Sequence, residues 1–116
     1  MYRIVPTLVI ASLTLVALAP PATAQERPIV AVEISDHHYH PRTIVVWPGT
    51  TVIWVNNGDQ GHTVTSRNGL WNDSGVLAPG EEFQVTFDVP GIFYYYCRLH
   101  TREFMKGRVI VRNPRP

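Results

Sequence analysis

From residue 29 onward, apolar and polar positions alternate in short runs punctuated by Gly, Pro and Asn. A period of two is the signature of half-buried strands. Ile29 to Ile34 predicts a first strand, with Val30, Val32 and Ile34 on one face. Thr43 to Trp47 is β-branched and aromatic and stops at Pro48-Gly49. Thr50 to Val55 predicts a strand with Val52 and Trp54 on one side, and His62 to Ser66 a short one. Glu82 to Val89 turns Phe83, Val85 and Phe87 inward, and Pro90-Gly91 then reverses the chain. Ile92 to Cys97 places Phe93, Tyr95 and Cys97 on the inner face, and Gly107 to Arg112 does the same for Val109 and Val111. Asp36-His37-His38-Tyr39-His40-Pro41 breaks the alternation, and Arg67 to Gly80 is the longest irregular stretch. Seven to eight short strands without a helix of any length predict an all-β, antiparallel single-domain sandwich or barrel.

The N-terminal stretch follows a different rule. Arg3 precedes an almost wholly apolar run from Ile4 to Ala19, and Ala22-x-Ala24 has the small residues of a cleavage site. This predicts a secretory signal peptide over residues 1–24, leaving a domain of residues 25–116 in the periplasm or outside the cell. The rival expectation, a retained membrane anchor, meets a run that is short for a bilayer span and interrupted by Pro6. No membrane insertion is expected after cleavage. The chain has 10 Lys and Arg against 9 Asp and Glu, and Arg3 lies in the leader, so the domain itself is balanced. A global charge argument for nucleic acid therefore fails. A monomer is expected.

Composition changes the picture most at one residue. The chain has a single cysteine, Cys97. In an oxidising compartment it has no internal partner, so it is inert and buried, an intermolecular link, or a metal ligand. His100 follows three residues later and Met105 five after that. Thiolate, imidazole and thioether in one loop suit copper. His62, at the start of another strand, is the candidate for a fourth ligand. A trigonal plane of two imidazoles and a thiolate with a weak axial Met accommodates both Cu(I) and Cu(II). The cluster His37-His38-x-His40 admits two readings. One is a polar strand edge. The other is a second metal site in which His38 and His40 share a strand face and Asp36 joins them.

The order of these residues resembles the cupredoxin family, the plastocyanin, pseudoazurin and amicyanin group in particular. The resemblance runs through Tyr39-His40-Pro41, Gly49 to Asn56, His62-Thr63-Val64-Thr65-Ser66, Ser74 to Phe83 and Phe87 to Gly91. It ends in Tyr95-Tyr96-Cys97-x-x-His100-x₄-Met105-x-Gly107-x-Val109-x-Val111. The resemblance implies a Greek-key β-sandwich, one type 1 copper ion held by His62, Cys97, His100 and Met105, and no enzymatic activity. It implies one-electron transport between protein redox partners, with His100 as the port for electrons and Thr63 helping to tie the ligand loops together. The chain departs from many relatives at Thr101-Arg102-Glu103, where Pro commonly follows the ligand histidine. Arg98, Arg102 and Lys106 crowd this loop and would steer an acidic partner toward His100. The alternative function is a copper carrier or storage protein without electron transport.

Overall fold

The computed structural model describes residues 27–113 together with residues 3, 4, 7, 12 and 14–18. The Ala22-x-Ala24 cleavage pattern lies outside the described residues. Among those described, no helix is long and apolar enough to cross a membrane.

Eight strands form two four-stranded sheets, the expected all-β sandwich. They are β1 (Ile29–Ser35), β2 (His38–His40), β3 (Thr43–Val46), β4 (Thr50–Asn56), β5 (Thr65–Ser66), β6 (Glu82–Phe87), β7 (Gly91–Tyr96) and β8 (Lys106–Val111). The first sheet has the order β2-β1-β4-β6 and the second β3-β8-β7-β5. A single 3-10 turn, Thr101–Glu103, lies between β7 and β8.

The alternation seen in the sequence selects the inner faces. Thr50, Val52, Trp54 and Asn56 of β4 are buried while their neighbours are half-buried. Trp54 is the centre of the core. Its ring lies 5.2 Å from Tyr95 edge-on, 6.3 Å from Trp71 in a stack and 6.2 Å from Phe83. Trp71, in the long irregular stretch, closes the open edge and donates its Nε1–H to Val64 O at 3.3 Å. Such aromatic contacts add to the burial of large apolar surfaces.

Two features depart from the expected strands. The sandwich is not wholly antiparallel: β1 pairs with β4, and β3 with β8, in parallel. The stretch around His38 is a short polar strand at the sheet edge, one of its two expected readings, paired antiparallel to β1. His62 belongs to no strand. It makes an isolated bridge with Leu77, and β5 begins only at Thr65. The parallel β1–β4 pair matters most for the site. It brings the end of β1, and so Asp36, to the same end of the sandwich as the loop that follows β4.

Candidate metal centre

At that end, the loop after β4 and the loop between β7 and β8 meet. Inward alternation along β7 leaves Cys97 fully buried at the strand's end. The β7–β8 loop closes tightly on itself. Cys97 N–H donates to Met105 O at 3.0 Å, and His100 N–H donates to Cys97 O at 3.2 Å. Met105 N–H reaches back to His100 O at 3.4 Å. Phe104 takes the left-handed conformation, φ 54°, that ends the 3-10 turn and redirects the chain into β8.

His62 Nδ1 lies 3.9 Å from Cys97 Sγ, and His100 Nδ1 lies 3.4 Å from it. These three ligand atoms all fall within 4.8 Å of one another, which makes His62, Cys97 and His100 a group that could hold a metal ion. A soft thiolate with two imidazoles fits copper better than a hard cation. His62 and Met105 are buried and His100 is half-buried.

Both imidazoles are oriented through their far nitrogens. His62 Nε2 meets Asp36 Oδ1 at 3.0 Å, and His100 Nε2 meets Gln60 Oε1 at 2.9 Å. Either contact makes Nε2 the protonated nitrogen and leaves Nδ1 free to ligate. The His62 hydrogen bond, with further donation from Asp59 N–H, holds the Asp36 carboxyl below its usual range. Burial, reinforced by the neighbouring His62, holds the His100 imidazole below its own.

Thr63 joins the two loops. Its N–H points at Cys97 Sγ at 3.4 Å, and its hydroxyl accepts from Arg98 N–H at 3.0 Å. Its carbonyl accepts from the buried Tyr39 hydroxyl at 2.6 Å. Thr65 and Arg98 both bond Asp73, which anchors the irregular stretch to the ligand loop. Buried Asn56 shapes the preceding loop, donating to Gln60 O at 2.8 Å and Leu77 O at 2.9 Å.

His38 and His40 are exposed on β2. Asp36 turns its carboxylate to His62, and among the described residues His62, Cys97 and His100 are the one group of three or more ligand side chains brought together. The neighbouring His37 instead packs its ring 5.1 Å from that of His100. Sequence reasoning missed Asp36 and Gln60 as partners of the imidazoles. The loop composition Asn56-Asn57-Gly58-Asp59-Gln60-Gly61 signals a turn but not which side chain faces a ligand.

Of the cations near the loop, Arg98 is paired with Asp73 at 3.1 Å, while Arg102 and Lys106 are exposed. A groove of about 730 Å³ runs over the outer face of the second sheet. Arg42, Arg67, Lys106 and Arg108 line it with Tyr94 and Tyr96, and no acidic residue does.

Residues 8–111 match the Cupredoxin-like domain. Plastocyanin of Scenedesmus fuscus is 29% identical over 84 residues, covering 64% of this chain and 86% of that protein. Amicyanin-alpha of Methylorubrum extorquens is 29% identical over 84 residues, 69% of each chain. The chain spans a little over half the length of two chloroplastic plastocyanins that it also matches. Among solved structures, a purple cupredoxin from Nitrosopumilus maritimus superposes with a TM-score of 0.64 at 27% identity. That likeness covers 72% of this chain and 99% of the other. With the two-sheet sandwich and the histidine–cysteine–histidine group at one end of it, this places the chain in the cupredoxin-like family.

Proposed function

We propose that this chain is an exported type 1 copper protein that carries single electrons, with His62, Cys97, His100 and Met105 as the ligands of one copper ion. The observation that carries the reading is the convergence of Cys97 Sγ with Nδ1 of both histidines inside 4.8 Å, at a buried loop junction. Bound there, copper supplies a one-electron couple between Cu(I) and Cu(II). The protein's part is to keep the donor set fixed. The loop hydrogen bonds around Cys97 and Met105, and the Nε2 contacts of both imidazoles, hold the donors before any metal arrives, so little has to move when charge changes. Burial of Cys97 and Met105 would keep water from the thiolate and thioether that hold the ion.

His100 is the half-buried member, and exposed Leu99 and Phe104 flank it. That combination supports electron exchange with a protein donor and acceptor at the His100 end. Among the described residues Arg102 and Lys106 enter no ion pair there, whereas Arg98 is engaged with Asp73. The domain over residues 25–116 would work in the periplasm or outside the cell, a location supported by the signal-peptide pattern and the plastocyanin and amicyanin relatives. The relatives likewise support a carrier over an enzyme. Copper carriage or storage is the lesser reading, because a carrier must release its ion and His62 and Cys97 are fully buried.

The test is an absorption and electron-spin-resonance spectrum of the purified protein loaded with Cu(II), followed by voltammetry. An intense thiolate-to-copper band and a reversible one-electron couple are expected. Colourless protein that hands copper rapidly to an acceptor would overturn electron transport in favour of storage.

A further inference from the structure

We propose that Asp36 is a positioning residue that sets the reduction potential of the centre, holding His62 by its Nε2–H and lowering the potential through its fixed negative charge. This rests on the copper reading above.

The carboxylate is built into its place. Oδ1 receives His62 Nε2–H at 3.0 Å, Asp59 N–H at 3.1 Å and Gln60 N–H at 3.2 Å, and Oδ2 lies 3.2 Å from Asp59 N. A Cβ at Gly58 would overlap Asp36 Oδ1, so the loop accommodates the carboxylate only because residue 58 lacks a side chain. Asn56 accepts Gly58 N–H at 2.9 Å and fixes that loop in turn. The parallel β1–β4 pair delivers Asp36 to this point. Three donors on one carboxylate favour its ionised form in a defined position.

The two imidazoles are supported unequally. His62 leans on a carboxylate, while His100 leans on the neutral amide of Gln60. Gln60 links the two supports, because its N–H donates to Asp36 and its Oε1 accepts from His100. An anion one imidazole ring from the metal makes His62 a stronger donor and favours the more positive oxidation state. Asp36 therefore favours Cu(II) over Cu(I), which is a lower potential.

Voltammetry and absorption spectra of copper-loaded protein test the assignment with three variants. Asp36→Asn removes the charge and keeps an acceptor oxygen. Gly58→Ala keeps the charge and pushes it off His62. Asp88→Asn removes a charge next to β6, where Asp88 faces Arg27, and calibrates the effect of net charge alone. Asp36→Asn is expected to keep the charge-transfer band and raise the potential by about 59 mV, a tenfold shift in the relative stability of the two states. Gly58→Ala is expected to raise it in the same direction, and Asp88→Asn to leave it nearly in place. A potential for Asp36→Asn no higher than that of Asp88→Asn overturns the proposal. Should Asp36→Asn fail to hold copper, Gly58→Ala decides, and an unshifted potential there overturns it. Wild-type protein with neither band nor couple would instead overturn the copper reading on which it rests.

Discussion

At the residue scale, each side chain of the centre has a chemical task that follows from its place. The proposed ligands Cys97, His100 and Met105 could be named from the sequence because their spacing belongs to one loop, and local spacing survives any arrangement of the sheets. Asp36 was not legible, because its task depends on which end of the sandwich β1 points to, and strand direction leaves no mark on a period-two pattern. Gln60 was hidden for a related reason, since loop composition does not reveal side-chain aim. As the proposed axial ligand, Met105 would separate the roles of holding copper and tuning it. It is buried, and an axial thioether is a weak ligand. Met105→Ala is expected to retain one copper per chain while shifting the absorption band and the potential. The copper-free variant should unfold earlier, with about 2–5 kcal/mol lost for truncating a buried methionine. Metal analysis alongside thermal denaturation measures both. Complete loss of copper would show that Met105 is a principal ligand rather than an axial one.

At the element scale, the hairpin of β7 and β8 is what delivers three of the proposed ligands. Tyr95 pairs with Gly107 across it, and the buried Tyr95 ring fills the space where a Cβ on residue 107 would stand. That Cβ would lie 2.5 Å from the Tyr95 hydroxyl and 2.9 Å from Arg42 O, and Trp54 packs edge-on against the same ring. The ring has no direction in which to yield. Gly107→Ala is expected to cost about 1–3 kcal/mol of overpacking strain, read as a lower denaturation midpoint, and to perturb the copper spectrum because Met105 is two residues away. An unchanged midpoint would mean that β8 slides freely past Tyr95. A second element, the irregular stretch after β5, is fastened through Asp73. Partial burial raises the Asp73 carboxyl, but the Thr65 hydroxyl, Gly75 N–H and Arg98 outweigh it, and the net shift is below the ordinary 3.8. A carboxyl depressed in the folded state stabilises the fold above its ordinary value and loses that contribution as pH falls through the depressed one. Asp73→Asn should therefore be less stable than wild type near neutral pH, by a small margin because the pair is part-exposed. The two stability curves should converge below 3.8. Curves that stay parallel in urea titrations through that range would remove Asp73 from the account. The hydrophobic pattern made most strands readable in advance. The parallel pairs were not, since parallel partners lie far apart in sequence.

At the scale of the whole molecule, charge is balanced in sum and segregated in space. The groove on the outer face of the second sheet collects Arg42, Arg67, Lys106 and Arg108 without an acidic neighbour. It also adjoins the metal end, because Tyr96 immediately precedes Cys97 and Lys106 immediately follows Met105. Two copies of the chain meeting through this face would set cations against cations, so the field favours an acidic partner over self-association. Arg98 contributes less than its position suggests, since Asp73 neutralises it at 3.1 Å. The cations that steer are thus expected to be those of the groove together with Arg102. Screening gives the test. The Debye length falls from about 30 Å at 0.01 M salt to about 10 Å at 0.1 M, so attraction acting before contact should fade over that range. Second-order electron-transfer rates with an acidic redox protein should fall several-fold between those salt concentrations. They should also fall in Lys106→Gln and Arg108→Gln at low salt, and the difference from wild type should close at high salt. The double variant Arg98→Gln/Asp73→Asn should alter the rate less than either, because it removes a pair that is already neutralised. Stopped-flow mixing of the reduced protein with the oxidised partner reads all four rates. A rate indifferent to salt would mean that the partner approaches the apolar rim of Leu99 and Phe104 around His100, and that the basic groove has no part in the encounter.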